Sequence, residues 1–445
     1  MTIDTALVAA RRRVSIASAA SGPLVIGRVE RVVGLGFEVG GLDLPIGSYV
    51  DVDLGGQMLG AEVVACSTGT ITCVPFGTLR GLCVGTFVYP SASGPSIPVG
   101  ESLLGRVIDA FGNPLDDGPP LRGISLVGID GEPPHPLRRE RVNERLSLGV
   151  RAWDSMAPMG RGQRVGVFAG SGVGKSTLMG MVARGSRADV NVVALIGERG
   201  REIREFVEEE LGAEGLARSV VVVATSDMPA LVRLRAADAA TRIAEWFRDR
   251  GDDVMLMMDS LTRYCMAQRE IGLAAGEPPT SRGYPPSVFA MLPRLLERAG
   301  TSDVGSITGL YTVLVDGDDH NEPVADAVRS ILDGHVVLTR DLAHAGHYPA
   351  IDVLASVSRV QNAVTSEPEQ LAARELRSLL AAHAEARDLI EIGAYVPGSN
   401  PTVDRSVALK PQIDGFLRQA VNDPTSSEDT SARLAALLGR QEGAS

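Results

Sequence analysis

The sequence predicts an α/β fold built around a parallel sheet, preceded by a smaller β-rich domain and followed by helices. Three observations carry this. Between about residues 140 and 360, apolar runs at Val165 to Phe168, Val192 to Ile196, Val220 to Ala224, Val254 to Met258 and Gly309 to Val315 alternate with helix-patterned stretches. Near-continuous apolar strands of this kind belong to a sheet covered on both faces. The first run leads through a glycine-rich turn, Ala169-Gly170-Ser171-Gly172-Val173-Gly174, into Lys175-Ser176-Thr177 and a helix-like stretch from Leu178 to Ala183. Outside this block the pattern changes, to short glycine-punctuated β-type runs from Pro23 to about Pro90 and to helical periodicity after about residue 365.

The 445 residues suggest two to three domains, and 44% hydrophobic with 22% charged residues is an ordinary globular mixture. A net charge of −12 argues against a broad nucleic-acid-binding surface. Cys66, Cys73, Cys83 and Cys265 show no CxxC spacing, so neither a zinc cluster nor a disulfide framework is expected and a reduced, cytoplasmic compartment is the natural reading. Arg11-Arg12-Arg13 precedes a stretch too short and polar for a signal h-region. No apolar segment approaches the ~20 residues that span a bilayer, so any membrane role is expected to be peripheral.

In chain order, residues 1–22 read as a mobile arm, with a modest helical pattern (Ala6, Leu7, Ala9, Ala10) and no core of its own. Residues 23–92 carry Leu24-Val25-Ile26-Gly27, Leu35-Gly36-Phe37-Glu38-Val39, Tyr49-Val50-Asp51-Val52 and Ala61-Glu62-Val63-Val64. Short strands with frequent turns suggest a small β-barrel, with a sandwich-like accessory domain as the alternative. Ser91 to Pro98 reads as a linker, and Gly105 to Asp116 ends in turn chemistry before a proline-rich stretch to Pro136. Residues 93–364 hold the alternating block. In 365–445, Leu371, Leu376, Leu379 and Leu380 and the alanine-rich run to Ile390 indicate helices, with another around Ile413 to Ala420. Asn422 to Asp429 reads as a polar, flexible stretch before a short final helix.

The turn Gly170–Gly174 has the form of a phosphate-binding loop. Small residues let backbone N–H groups curl around a polyphosphate, and the helix N-terminus adds its positive dipole end. Lys175 is expected to reach the β- and γ-phosphates and Ser176 to ligate Mg²⁺. Ala169 stands where the usual pattern has its first glycine, a change that costs little if that residue keeps negative φ. Val254 to Met258 ends in Asp259, a carboxylate at a strand end that would hold the Mg²⁺ water shell beside Ser176. A buried strand ending in Asp is also common for structural reasons. Gly197-Glu198-Arg199 follows another apolar run, so Glu198 lies at the same sheet edge, where a carboxylate can deprotonate an attacking water; the competing reading is a surface charge cluster. Arg359 follows Pro349-Ala350-Ile351-Asp352, where an arginine donated across a subunit interface would stabilise a transferring phosphoryl group; the competing reading is a solvated surface residue. His320, His335, His344 and His347 fit no ligand spacing and read as structural or surface residues.

Taken together these residues resemble the catalytic subunits of the rotary ATPase family, from about residue 23 onward. Pro349 to Ser358 is similar to that family's signature and Gly197-Glu198-Arg199 to its catalytic glutamate segment. Phe168 to Thr177, Pro278 to Ser287, Ile331 to His335 and Ile392 to Tyr395 resemble most closely the flagellar and type III secretion export ATPases. The resemblance implies an N-terminal β-barrel, a RecA-like P-loop core and a C-terminal α-helical domain, assembled as a homohexamer with ATP and Mg²⁺ at subunit interfaces. It implies that Gly170, Ser171, Gly172, Val173, Gly174, Lys175, Ser176 and Thr177 bind nucleotide and that Tyr348 packs on adenine. Ser176 and Asp259 would hold Mg²⁺, with Lys175, Glu198, Arg199 and Arg359 catalytic. Tyr395 is a candidate for the second wall of the base pocket.

The implied partners are a stator-like regulatory protein at the N-terminal arm, export substrates and their chaperones, and a membrane export gate met peripherally at the inner face. A virulence-type secretion ATPase and an ATP synthase β-type subunit share the same chemistry. An RNA-translocating helicase needs aromatic stacking platforms on its barrel, and residues 23–90 offer few: Phe37, Tyr49, Phe76 and Phe87.

Overall fold

The computed structural model describes residues 25–91, 94–315 and 322–439. The expected arm, residues 1–22, and His320 lie outside these. The chain divides into two units, one holding the residues through Pro95 together with Ala274–Gly276, the other Ser96–Leu273 and everything from Glu277 onward.

In the first unit, inward valines and aromatics alternate with polar residues along β1 (Gly27–Val33), β2 (Gly36–Gly40), β3 (Tyr49–Asp53), β4 (Met58–Ser67), β5 (Thr70–Pro75) and β6 (Phe87–Pro90). These strands close into a barrel in the order β1-β2-β5-β4-β3-β6, every pair antiparallel. The barrel, not the sandwich, is the correct reading. Register shifts at Val29/Arg31 and Val63/Ala65 supply the bends that closure needs. Val29, Phe37, Val39, Val50, Val52, Val63, Cys73 and Val88 fill its interior, and burying a side chain the size of Phe37 is worth about 2 kcal/mol. Among the described residues the first strand begins at Gly27. A side chain at Gly27 would meet Leu42 and Val39 at 2.6 Å, so its close packing marks where the strand enters the wall.

In the second unit the segment expected to be a linker contributes β7 (Ser96–Val99), paired with β9 (Ser125–Gly128), while β8 (Arg106–Asp109) joins the main sheet. β10 (Arg145–Leu146) and β11 (Met159–Gly160) form a short ladder. The main sheet is completed by β12 (Arg164–Ala169), β13 (Val190–Glu198), β14 (Ser219–Thr225), β15 (Asp253–Asp259), β16 (Gly300–Thr301), β17 (Ser306–Leu314), β18 (Gly334–Leu338) and β19 (Ile351–Ser358). Its order is β19-β18-β12-β17-β15-β13-β14-β8, with β16 pairing β17 off that path. β19 and β16 run antiparallel to their neighbours and the rest are parallel. Parallel alignment sends the C-terminal ends of β12, β15 and β13 to one edge, the place where such sheets bind ligands.

Helices Glu367–Glu391, Pro401–Leu417 and Ser427–Leu437 follow the last strand. The first opens with a reciprocal Ser366/Glu369 capping box. Leu376, Leu379, Ile413, Phe416 and Leu434 belong to the same apolar core as Val165, Val167 and Trp153, so these helices pack directly onto the sheet. The stretch Asn422–Asp429 is more closely held than its polar composition suggests. Thr425 and Ser427 are buried, and the hydroxyl of Thr425 accepts a hydrogen bond from Arg151 at 3.0 Å.

Candidate active site

β12 ends at Ala169 and the chain turns through Gly170–Gly174 into the helix Lys175–Gly185. Gly172 and Gly174 have φ of +80° and +90°, values that side chains rarely tolerate, so the loop depends on glycine at these two points. Ala169 lies in the strand itself, with none of the positive φ that would call for a glycine. Val173 is buried under the loop, whereas Ser171, Gly172 and Ser176 face outward. The Thr177 hydroxyl donates to Glu210 Oε1 at 2.7 Å, tying the helix start to the segment Phe206–Leu211.

Lys175 is one of two lysines in a chain whose other fixed cations are arginines. Its ammonium lies between two carboxylates from neighbouring parallel strands. It pairs with Asp259 at the end of β15 and stands 3.6 Å from Glu198 Oε1 at the end of β13. Asp259 is buried and accepts a second bond from Thr312 Oγ1 of β17 at 2.7 Å. Burial works against the Lys175 charge, and Asp259 and Glu198 more than offset it, raising its pKa above the ordinary lysine value. Burial, and after it the charge of Asp259, push the Glu198 carboxyl up to about 7 against the pull of Lys175. A carboxylate poised there exchanges protons near neutrality, as a general base must.

Tyr348 borders the loop: a Cβ at Gly174 would sit 3.6 Å from its ring, which remains half exposed. The other expected residues are placed elsewhere. Arg199 starts the helix Gly200–Glu205 with its side chain in solvent, paired with Glu202 at 3.3 Å. Arg359 follows β19 at the opposite edge of the sheet, since Ser358 pairs with Gly334 while Leu338, at the other end of β18, pairs with Ala169 of β12. It is exposed there and donates to the Arg329 carbonyl at 3.4 Å. Tyr395 donates its hydroxyl to Asp404 at 3.0 Å, in the turn between the helices that end at Glu391 and begin at Pro401. His335 engages the Ala355 carbonyl at 3.0 Å.

Three residues of this region escape sequence reasoning. Thr312 is a polar residue inside an apolar strand, which is the one signal it gives. Arg263 packs its stem on the peptide before Glu198, since a Cβ at Gly197 would meet Arg263 Cβ at 3.0 Å. Its Nε is buried with no hydrogen-bond partner among the described residues, a donor suited to a site that receives an anion. Gln419 donates its backbone N–H to the Tyr348 carbonyl at 2.9 Å, and nothing in its sequence context indicates this. A cavity of about 1020 Å³ lined by Arg145, Glu369 and Ser431 includes no residue of the phosphate loop. The convergent charged groups, Lys175, Glu198 and Asp259, are at the loop instead.

The ATP synthase alpha/beta family, nucleotide-binding domain, matches residues 149–358, and the T3SS EscN ATPase C-terminal domain matches residues 365–436. The flagellum-specific ATP synthase of Bacillus subtilis is 51% identical over 94% of this chain and 96% of its own length. The type 3 secretion system ATPase of Xanthomonas euvesicatoria is 49% identical over 91% of this chain and 92% of its own. Among solved structures, the assembled ATPase EscN from the enteropathogenic E. coli type III secretion system superposes with a TM-score of 0.89 at 43% identity, over 93% of this chain and 100% of that one.

Proposed function

This chain belongs to the ATP synthase alpha/beta family, in its flagellar and type III secretion branch, and from that premise we propose that its ATPase activity drives protein export through a flagellar-type secretion apparatus, as a homohexameric ring. The observation that carries the chemistry is the Glu198 carboxylate, held 3.6 Å from Lys175 Nζ and raised to about 7. Lys175 neutralises charge on the β- and γ-phosphates. Glu198 takes a proton from a water whose oxygen attacks the γ-phosphorus in line; the bond to the bridging oxygen breaks, and ADP leaves with the electron pair. Asp259 and the exposed Ser176 hydroxyl are hard oxygen donors of the kind Mg²⁺ takes, and they would hold it beside the phosphates, where it screens their charge.

Arg359 acts in trans in this reading, reaching the nucleotide of the next subunit. EscN has been solved both assembled and in complex with its central stalk EscO, which supports the ring and a stalk-like partner for this chain. A stator-like protein on residues 1–22, export substrates with their chaperones, and a membrane export gate met from the cytoplasmic side complete the proposal. Among the described residues no helix is long and apolar enough to cross a membrane. The test is ATPase rate against protein concentration beside a sizing measurement, repeated with Arg359→Ala. Specific activity should rise steeply where a hexamer-sized species forms, and Arg359→Ala should lose it. Activity independent of concentration would sink the ring mechanism.

A further inference from the structure

Gln419 lies just beyond the helix Pro401–Leu417, is 6% exposed, and uses all of its side-chain hydrogen-bonding groups together with its backbone N–H. Its Oε1 accepts from the Arg151 N–H at 2.7 Å. Its Nε2 donates to the carbonyls of Gly149 at 2.7 Å and Asp423 at 2.6 Å. Its backbone N–H donates to the Tyr348 carbonyl. Arg151, also buried, gathers the same segment through the Phe416 carbonyl, the Arg418 carbonyl and Thr425 Oγ1 at 3.0, 2.5 and 3.0 Å. Arg184, on the helix that begins with Lys175, donates to the Val421 carbonyl at 3.2 Å. Three parts of the second unit therefore meet at one residue: the end of a C-terminal helix, the turn at Gly149–Arg151, which its side-chain amide engages, and the backbone of the residue whose ring borders the phosphate loop, which its backbone N–H engages.

We propose that Gln419 is a positioning residue for the nucleotide base: it fixes Tyr348 against the loop, so that affinity for ATP depends on where the C-terminal helices hold residues 418–425. A buried amide with every group satisfied has one stable orientation, because rotation strands the carbonyls it serves. No side-chain atom of Gln419 joins the cluster of Lys175, Asp259 and Glu198, so its effect falls on base binding and leaves phosphoryl transfer intact. The proposal rests on the reading of Tyr348 as the base platform.

The test uses the purified full chain as Gln419→Met, which keeps the volume and removes the three side-chain hydrogen bonds that hold the Gln419 backbone N–H against the Tyr348 carbonyl. KM for ATP should rise about five- to tenfold, the scale of one or two buried hydrogen bonds. kcat, and inhibition by inorganic tripolyphosphate, which has phosphates and no base, should stay within about twofold. In a Tyr348→Ala background, Gln419→Met should add nothing to KM. Equal losses for ATP and tripolyphosphate, a fall in kcat at constant KM, or a full additional effect on top of Tyr348→Ala would each overturn the proposal. Tyr348→Ala with a wild-type KM would remove the base-platform reading and this proposal with it, whereas a raised KM with additive effects removes this proposal alone. Gln419→Asn, one methylene too short to keep every bond, should show the same split; failure of both variants to fold would assign Gln419 a structural role instead.

Discussion

At the scale of single residues, the charge triplet at the loop makes opposite demands on activity and stability. As the proposed base, Glu198 must be ionised in the free enzyme to take a proton, and its pKa of about 7 puts that ionisation in the neutral range. The expected profile of kcat/KM therefore falls by about tenfold per pH unit below 7 and levels above it. Glu198→Gln should lose roughly 10² to 10⁴ in kcat, the usual worth of a general base. A steady-state profile from pH 5.5 to 8.5 checks both. Stability runs the other way. Glu198 titrates above the 4.5 of an unfolded glutamate, so between the two values the folded state binds the extra proton and stability drops as pH rises. Glu198→Gln should accordingly melt higher than wild type at pH 8, with the advantage gone by about pH 5. Equal melting temperatures at pH 8 would mean that Lys175 compensates Glu198 fully. Lys175→Arg is not a conservative change here, because a planar guanidinium does not fit a gap shaped for a compact ammonium between two carboxylates. Its turnover should fall by about 10² or more, measured against the same protein's melting curve.

At the scale of elements, the centre of the sheet is set by shape as well as polarity. Gly309 of β17 stands where a Cβ would meet the Tyr311 ring at 2.5 Å, and Tyr311 is fully buried. Gly309→Ala should therefore destabilise the fold by about 2 kcal/mol through overpacking, read as a lower melting temperature with kcat little changed. The five apolar runs centred on Val167, Ala194, Val222, Leu256 and Thr312 were legible in the sequence because a strand buried on both faces must be apolar throughout. β18 and β19 were not: β18 is only five residues long and carries a histidine, and β19 is an edge strand that tolerates the serines and aspartate interrupting it. β7 hid in a Ser-Pro-Gly stretch because it pairs only with β9. At the site, Lys175, Ser176, Asp259 and Glu198 could be found because each follows an apolar strand at a fixed offset. Thr312, Arg263 and Gln419 act through contacts made between segments distant in sequence, which no local pattern encodes. The tail around Thr425 read as loose for the same reason: its partner, Arg151, lies some 270 positions earlier.

At the scale of the whole molecule, the sheet separates the two halves of the proposed catalytic machinery. Lys175, Glu198 and Asp259 stand at the C-terminal edge of the parallel strands, whereas Arg359 emerges below that edge by the length of β18, roughly 13 Å, which is further than its side chain extends. A single copy therefore cannot bring its own Arg359 to its own loop, and a head-to-tail ring is the arrangement that supplies one arginine to every site. Mixing separates this from any role for Arg359 within one chain. Glu198→Gln subunits lack the base and keep the finger; Arg359→Ala subunits lack the finger and keep the base. Each alone should be inactive, and an equimolar mixture assembled at random should recover about a quarter of wild-type activity, because one interface in four pairs an intact base with an intact arginine. If Arg359 served its own subunit, every site in the mixture would still miss one group and nothing would be recovered. The amount regained reads out the fraction of sites completed in trans, provided the two variants exchange into common rings, which sizing of a tagged and an untagged population verifies.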